Sequence, residues 1–120
     1  MIVDKGYLAA VPALVLIDGI WLFFSGHYAK RVMEGVQKGP MTVRYFAAAI
    51  VYLAMAYIIL HASSTLNAFW LGVSTYAVYD FTNYALFSNY DWKFMLMDSL
   101  WGGLLFALTY RLLKSYSLVK

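Results

Sequence analysis

The sequence predicts an all-α integral membrane protein, a bundle of four transmembrane helices with its N- and C-termini on the same side of the bilayer. Of the 120 residues, 63% are hydrophobic and only 12% are charged, whereas a soluble domain carries about 25% charged residues. Apolar stretches of close to 20 residues, the length needed to cross about 30 Å of hydrocarbon, also recur four times. An even number of spans returns the chain to the side on which it began.

The predicted spans lie at about residues 6–26, 42–60, 67–88 and 94–111. The first contains LVLIDGIWLFF and is expected to be a retained helix, because it lacks the charged start and small-residue cleavage motif of a signal peptide. The second is rich in alanine, which permits close helix packing. The third contains YAVYDFTNYALF and the fourth KFMLMDSLWGGLLF. The connections are too short for a soluble domain, so we expect a single transmembrane domain across residues 1–120.

The charge balance and composition limit the partners that we expect. The net charge is +3, but the nine basic residues lie at the helix ends, as at membrane flanks, which argues against a nucleic-acid partner. They divide almost evenly between the two predicted sides and do not fix the orientation. With no cysteine, no thiolate site is available, and we expect no cofactor. The expected partners are the lipid bilayer and a second copy of the chain, and the aromatic residues expected at the membrane interfaces include Tyr28, Tyr90, Trp92 and Tyr110.

Three of the four spans each carry one aspartate within their apolar run: Asp18, Asp80 and Asp98. With a rise of 1.5 Å per residue, all three lie roughly 8–12 Å from the same face, although the helices run in opposite directions. Ionisable residues inside a membrane face protein or water. We therefore expect one shared cluster, open toward the face that bears the first and third connections. Three ionised carboxylates would repel, so some must be protonated, bound to a cation, or paired with Arg44, about one turn inside the second span.

Each aspartate has a distinctive residue three positions on, hence on the same helix face: Trp21, Asn83 and Trp101 respectively. Asn83 adds an amide oxygen to the carboxylates, so we predict a binding site made of Asp18, Asp80, Asn83 and Asp98. The other residues on these stripes are expected to support it, with Arg44 as the counter-ion. The supporting set is Trp21, Tyr76, Tyr84, Trp101 and Arg44.

Three motifs in this order, IDGIWL, YDFTNYA and DSLWG, resemble those of a family of small predicted membrane proteins grouped as domain of unknown function family 2177. The resemblance covers the first, third and fourth spans and their spacing. It implies four helices and adds Tyr79, Thr82 and Gly102 to the positions of interest. It assigns no activity to them.

The cluster favours movement of a proton, a metal ion or a small cationic solute through the membrane, because carboxylates supply hard oxygen ligands and build proton relays. A metal ion would be held by Asp18, Asp80 and Asp98. Two alternatives remain open. The acids are interhelical hydrogen-bond glue in an accessory membrane protein, or they act as acid and base in an enzyme that modifies lipids. Catalysis is the less favoured alternative, because the sequence has no recognisable nucleophile or metal motif.

Overall fold

The computed structural model describes residues 2–119, with side chains described from Lys5 onward. This part of the chain forms four α-helices and no strand: α1 (Ile2–Gln37), α2 (Tyr45–Leu60), α3 (Thr65–Leu86) and α4 (Trp92–Ser115). The all-α prediction with four helices is thus confirmed. The helices pack as a bundle in which α3 and α4 share the largest interface, α1 packs on α4 and α2, and α2 touches α3 only lightly.

The first helix is much longer than its predicted span. The segment after residue 26, expected to connect two spans, remains helical to Gln37. Its apolar residues recur at helical spacing and bring Val32 against Tyr90, Phe94 and Met95 at the start of α4. Packing of this face keeps the segment helical despite its charged residues. The extension of α1 therefore covers the α3–α4 connection.

Length and hydropathy identify one membrane span among the described helices, the Lys5–Gln37 part of α1. The second helix is apolar but has 16 residues, which extend about 24 Å at 1.5 Å per residue. The third and fourth have 22 and 24 residues, but tyrosine, asparagine and aspartate side chains lower their mean hydropathy. Several of these polar residues, Asp80 and Asp98 among them, build the site described below.

Glycines allow α3 and α4 to pack closely, because small residues let two helix backbones approach each other. A Cβ atom on Gly72 would overlap the carbonyl group of Gly102, and one on Gly102 would overlap the ring of Tyr76. A Cβ atom on Gly103 would lie 2.6 Å from Val73 and 2.7 Å from Phe69. Larger residues at these positions would force the two helices apart.

The surface of the bundle is apolar while its interior holds polar groups. On α4, leucines at every fourth position are exposed, whereas Asp98, Ser99 and Thr109 are buried. The exposed residues of this row are Leu96, Leu100, Leu104, Leu108 and Leu112. Continuous apolar surface of this kind is rare on soluble monomers and marks contact with lipid or protein.

The start of α1 and the end of α4 lie at the same end of the bundle. Gly6 packs against Leu60 at the end of α2, and Leu118 and Val119 pack against the same core cluster. This cluster includes Ala62, in the connection between α2 and α3.

Candidate functional site

The three aspartates come together in the interior of the bundle, one each from α1, α3 and α4. Asp80 is fully buried, and Asp18 and Asp98 are each 8% exposed. The carboxyl groups of Asp80 and Asp98 are in hydrogen-bond contact, and Asp18 lies close enough to act on Asp98 electrostatically. The structure therefore brings the three predicted aspartate side chains together, as we expected from their depths along the helices.

The first and fourth helices exchange aspartate–tryptophan contacts. Trp101 on α4 donates its indole N–H to Asp18 Oδ1 over 2.9 Å, and Trp21 on α1 lies near the carboxyl group of Asp98. The two indole rings stack, with centroids 5.2 Å apart and planes 10° from parallel. The carboxyl group of Asp18 is thus held by Trp101, the tryptophan three positions after Asp98. This arrangement fixes α1 against α4 at the depth of the cluster.

Asp80 has its own donors at the start of α4 and in the connection before it. Tyr90 donates its hydroxyl to Asp80 Oδ1 over 2.8 Å, and Ser99 donates to Oδ2 over 3.5 Å. Asn83 is in hydrogen-bond contact with Tyr90 and with Tyr79, so it joins the cluster through a tyrosine rather than through a carboxyl group. The site was expected to open toward this connection, but Tyr90 covers it there.

The second helix contributes Tyr52, whose hydroxyl donates to Asp18 Oδ2 over 2.5 Å. Sequence reasoning missed this residue, although a signal existed. Tyr52 lies seven positions into α2, about 10 Å along the axis, which is the depth of the three acids. Tyr90 and Ser99 were also missed. Tyr90 had been assigned to the membrane interface along with Tyr110, but both tyrosines are buried.

A cavity of about 480 Å³ lies beside Asp98, between α2 and α3. The second helix contributes four apolar residues to its wall, and α3 contributes Thr75, Tyr76 and Tyr79. Asp98 is the one acidic residue among those that line it. The carboxyl cluster therefore has an accessible side, and this side is lateral.

Three predicted supporting residues are placed away from the cluster. Thr82 and Tyr84 are exposed on α3. Arg44 precedes α2 as its N-cap and is exposed, because the helix begins at Tyr45 rather than a turn earlier. In the described part of the chain, no arginine or lysine pairs with the three carboxyl groups, so the expected counter-ion is not found there. The other predicted members, Trp21, Tyr76, Tyr79 and Trp101, lie at the cluster or at the cavity.

The geometry does not favour the metal centre that the sequence allowed for Asp18, Asp80 and Asp98. No group of three or more histidine, cysteine or acidic side chains among the described residues is placed to hold a metal ion. Both oxygens of Asp18 already accept hydrogen bonds from Tyr52 and Trp101.

The two parts of the cluster differ in their hydrogen bonds. Asp18 accepts one hydrogen bond on each carboxyl oxygen, from Tyr52 and from Trp101. Asp80 and Asp98 contact each other, and two carboxyl groups at hydrogen-bond distance share a proton because two negative charges there would repel. The cluster can therefore bind and release one proton at the Asp80–Asp98 pair without a basic residue.

A second polar network closes the bundle at the α3–α4 connection. Tyr28 donates its hydroxyl to Asp91 Oδ2 over 2.5 Å, and Asn89 donates to the carbonyl of Gly35 over 2.5 Å. Asp91 also caps α4 by accepting from the backbone N–H of Lys93 over 2.8 Å. The hydrogen bond from Tyr28 lowers the pKa of Asp91 below its ordinary value. The extension of α1 is thereby tied to the connection that carries Tyr90.

The comparisons with known proteins agree with the resemblance of the three motifs. No curated protein and no solved structure matched the chain. The family model described as predicted membrane protein (DUF2177) matches residues 3–112, which include all four helices except the first residue of α1 and the last three residues of α4. The chain therefore belongs to this family of predicted membrane proteins.

Proposed function

We propose that the chain is a multi-pass membrane protein that moves a proton or a small cationic solute through the cluster of Asp18, Asp80 and Asp98. The observation that carries this proposal is the buried contact between Asp80 and Asp98. Ionisable groups are costly inside a membrane and are typical of proton and ion pathways. A cation that approaches Asp98 replaces the shared proton, so proton and solute binding are alternatives at one site.

The multi-pass part of the proposal is supported by the distribution of residues around the bundle. Asp80 of α3 and Asp98, Ser99 and Thr109 of α4 are buried, and the leucine row of α4 faces outward. These buried polar groups account for part of the low mean hydropathy of the two helices. All four helices then lie in the bilayer, and both termini are on one side.

Flux through sealed proteoliposomes tests the proposal. The vesicles contain a pH-sensitive dye and receive imposed proton, sodium or potassium gradients. The native chain is expected to dissipate at least the proton gradient, while Asp80→Asn and Asp98→Asn are expected to lose this flux because the shared proton has lost its second carboxyl group. Glu34→Gln, an acid on the extension of α1, is the matched control and keeps native flux.

The two alternatives predict different results in the same preparations. If the acids are hydrogen-bond glue, no gradient is dissipated by the native chain, and the asparagine variants only unfold more readily. If the chain is an enzyme, an added lipid is converted without any dependence on a gradient. Circular dichroism and gel filtration establish that each variant is folded before its flux is interpreted.

We also propose that the chain works as a dimer. Four helices leave little room to enclose a complete path, and α1 offers a face for close contact. Gly19 and Gly26 are one heptad apart on this helix, and a Cβ atom on either would meet nothing within 4 Å. Gly19→Leu and Gly26→Leu are expected to reduce chemical cross-linking of two chains in native membranes.

A further inference from the structure

The cavity beside Asp98 differs from the rest of the cluster because carbon atoms make up most of its wall. The second helix lines it with Val51, Ala54, Met55 and Ile58. Its volume of about 480 Å³ falls within the roughly 300–1,000 Å³ of small-molecule sites. A proton or an inorganic ion requires neither this volume nor an apolar wall.

The polar groups of the cavity are suited to a positive charge. Asp98 is its one acidic lining residue, and the aromatic rings of Tyr76 and Tyr79 line the same space. An organic cation is attracted both by the carboxylate and by the negative faces of aromatic rings. Met55, an adaptable side chain, fits a range of apolar shapes. The cavity therefore selects the charge of its ligand more strictly than the shape of its ligand.

Access to the cavity is from the side of the bundle. Val51 and Tyr79 are each about half exposed at 53% and 51%, and Ala54 is also exposed. These residues lie where α2 and α3 have few contacts. In a bundle of four membrane spans, this side faces lipid chains rather than water. A molecule that enters here must be soluble in the bilayer.

We infer that the cavity binds a lipophilic organic cation, a molecule with one positive charge on an alkyl or aryl body, which enters between α2 and α3 and places its charge beside Asp98. The inference rests on the proposed function and names its solute class. The complementary charge distinguishes this ligand from a neutral lipid. The apolar wall distinguishes it from an inorganic cation.

Binding of tetraphenylphosphonium to the full-length chain in detergent tests the inference by equilibrium dialysis. Tetraphenylborate has nearly the same shape and the opposite charge, so it serves as the matched probe. Saturable binding of the phosphonium is expected, with none of the borate. Asp98→Asn is expected to weaken phosphonium binding by about thirtyfold or more, since it removes the carboxylate of a desolvated charge pair.

A second variant keeps the test independent of the carboxyl cluster. Ala54→Phe fills the cavity from α2 and is expected to weaken phosphonium binding roughly tenfold or more. Ala49→Phe adds the same ring at an exposed position of the same helix that does not line the cavity. Native affinity is expected for this control. Equal effects of the two phenylalanine variants would overturn the assignment to the cavity.

The outcomes separate this inference from the proposed function. Equal binding of phosphonium and borate, or unchanged binding by Asp98→Asn, overturns the cation site. No saturable binding in a preparation whose proton flux depends on Asp80 overturns the inference and leaves the proposed function intact. Saturable binding that depends on Asp98 and Ala54 supports the cation site. If such a preparation dissipates no gradient, the proposed transport function is wrong and the binding site stands.

Discussion

The hydroxyl of Tyr52 provides a sharp test of how the cluster holds the bundle together. Among the described residues of α2, Tyr52 is the one that donates a hydrogen bond to an acid of the cluster, and its partner Asp18 is 8% exposed. Tyr52→Phe keeps the ring and removes only this donor. Asp18 keeps the indole N–H of Trp101, so one of its two donors remains.

The magnitude follows from the environment of the bond. Hydrogen bonds to charged groups contribute about 1.5–3 kcal/mol in soluble proteins, whereas measured pairs between membrane helices average about 0.6 kcal/mol and reach about 1.7 kcal/mol. The short, largely buried contact belongs near the upper end of the membrane range. Tyr52→Phe is therefore expected to lower the free energy of unfolding by about 1–2 kcal/mol.

Unfolding in mixed micelles, followed by tryptophan fluorescence as the fraction of SDS is raised, measures this difference. Tyr57→Phe is the control, since Tyr57 is an exposed tyrosine on the same helix and its change should have little effect. A double-mutant cycle with Asp18→Ala is expected to give a coupling energy of about 1 kcal/mol or more. Additive effects in the cycle, or equal stability of the two phenylalanine variants, would refute the reasoning.

Three further predictions concern packing, the membrane and pH. Gly102→Ala is expected to lower the free energy of unfolding by about 1–3 kcal/mol, because its Cβ would overlap the ring of Tyr76. A Cβ atom at Gly19 would meet nothing within 4 Å, so Gly19→Ala should be neutral or slightly stabilising in the same unfolding assay. Leu104→Asp, on the exposed row of α4, should reduce the fraction of chain recovered in carbonate-washed membranes, since a charge in hydrocarbon costs about 2.5–3.5 kcal/mol; unchanged recovery would contradict a lipid-facing α4. Tyr28→Phe should be less stable than the native chain at neutral pH and equally stable in acid. The reason is that the hydrogen bond from Tyr28 lowers the pKa of Asp91 in the folded chain. The stability that this lowering gives is present above the pKa of the unfolded chain, near 4, and is lost as pH falls through the lower pKa of the folded chain. A difference between Tyr28→Phe and the native chain that persisted at the lowest pH would contradict this assignment.

The depth of the aspartates was predictable because the helical rise is constant. Counting residues from each predicted end placed Asp18, Asp80 and Asp98 in one layer without any structural information. The structure brings all three together in the interior. Their inward orientation was also predictable, since charged groups in a membrane are turned toward protein or water.

The hydrogen-bond partners were not predictable in the same way. Counting residues gives a depth along each helix but not how neighbouring helices are rotated against one another. Each tryptophan shares a helix face with the aspartate three positions before it, but this spacing does not say that Trp101 donates to Asp18 on the other helix. That contact forms because the two helices meet face to face. Tyr52 lay at the right depth, but only the packing of α2 on α1 shows that it reaches Asp18.

Helix boundaries explain the remaining differences. Arg44 was expected inside the second span, but α2 begins one residue later and leaves this side chain exposed. The charged segment after residue 26 was expected to be a connection, but tertiary contacts of Val32 with Tyr90 and Phe94 extend α1 through it. Both errors arise because hydropathy predicts the limits of an apolar segment, whereas local capping and tertiary packing determine where a helix begins and ends.

Covalent labelling with dicyclohexylcarbodiimide tests whether Asp98 is protonated and open to the bilayer, since this lipid-soluble reagent modifies protonated carboxyl groups that it can reach from the lipid. The native chain is labelled in membranes, and the modified residue is found by mass spectrometry. We expect an adduct on Asp98, which contacts Asp80 and lines the lateral cavity. We expect no adduct on Asp18, whose oxygens are both occupied. An adduct on Asp18 alone, or none on any of the three aspartates, would contradict the account.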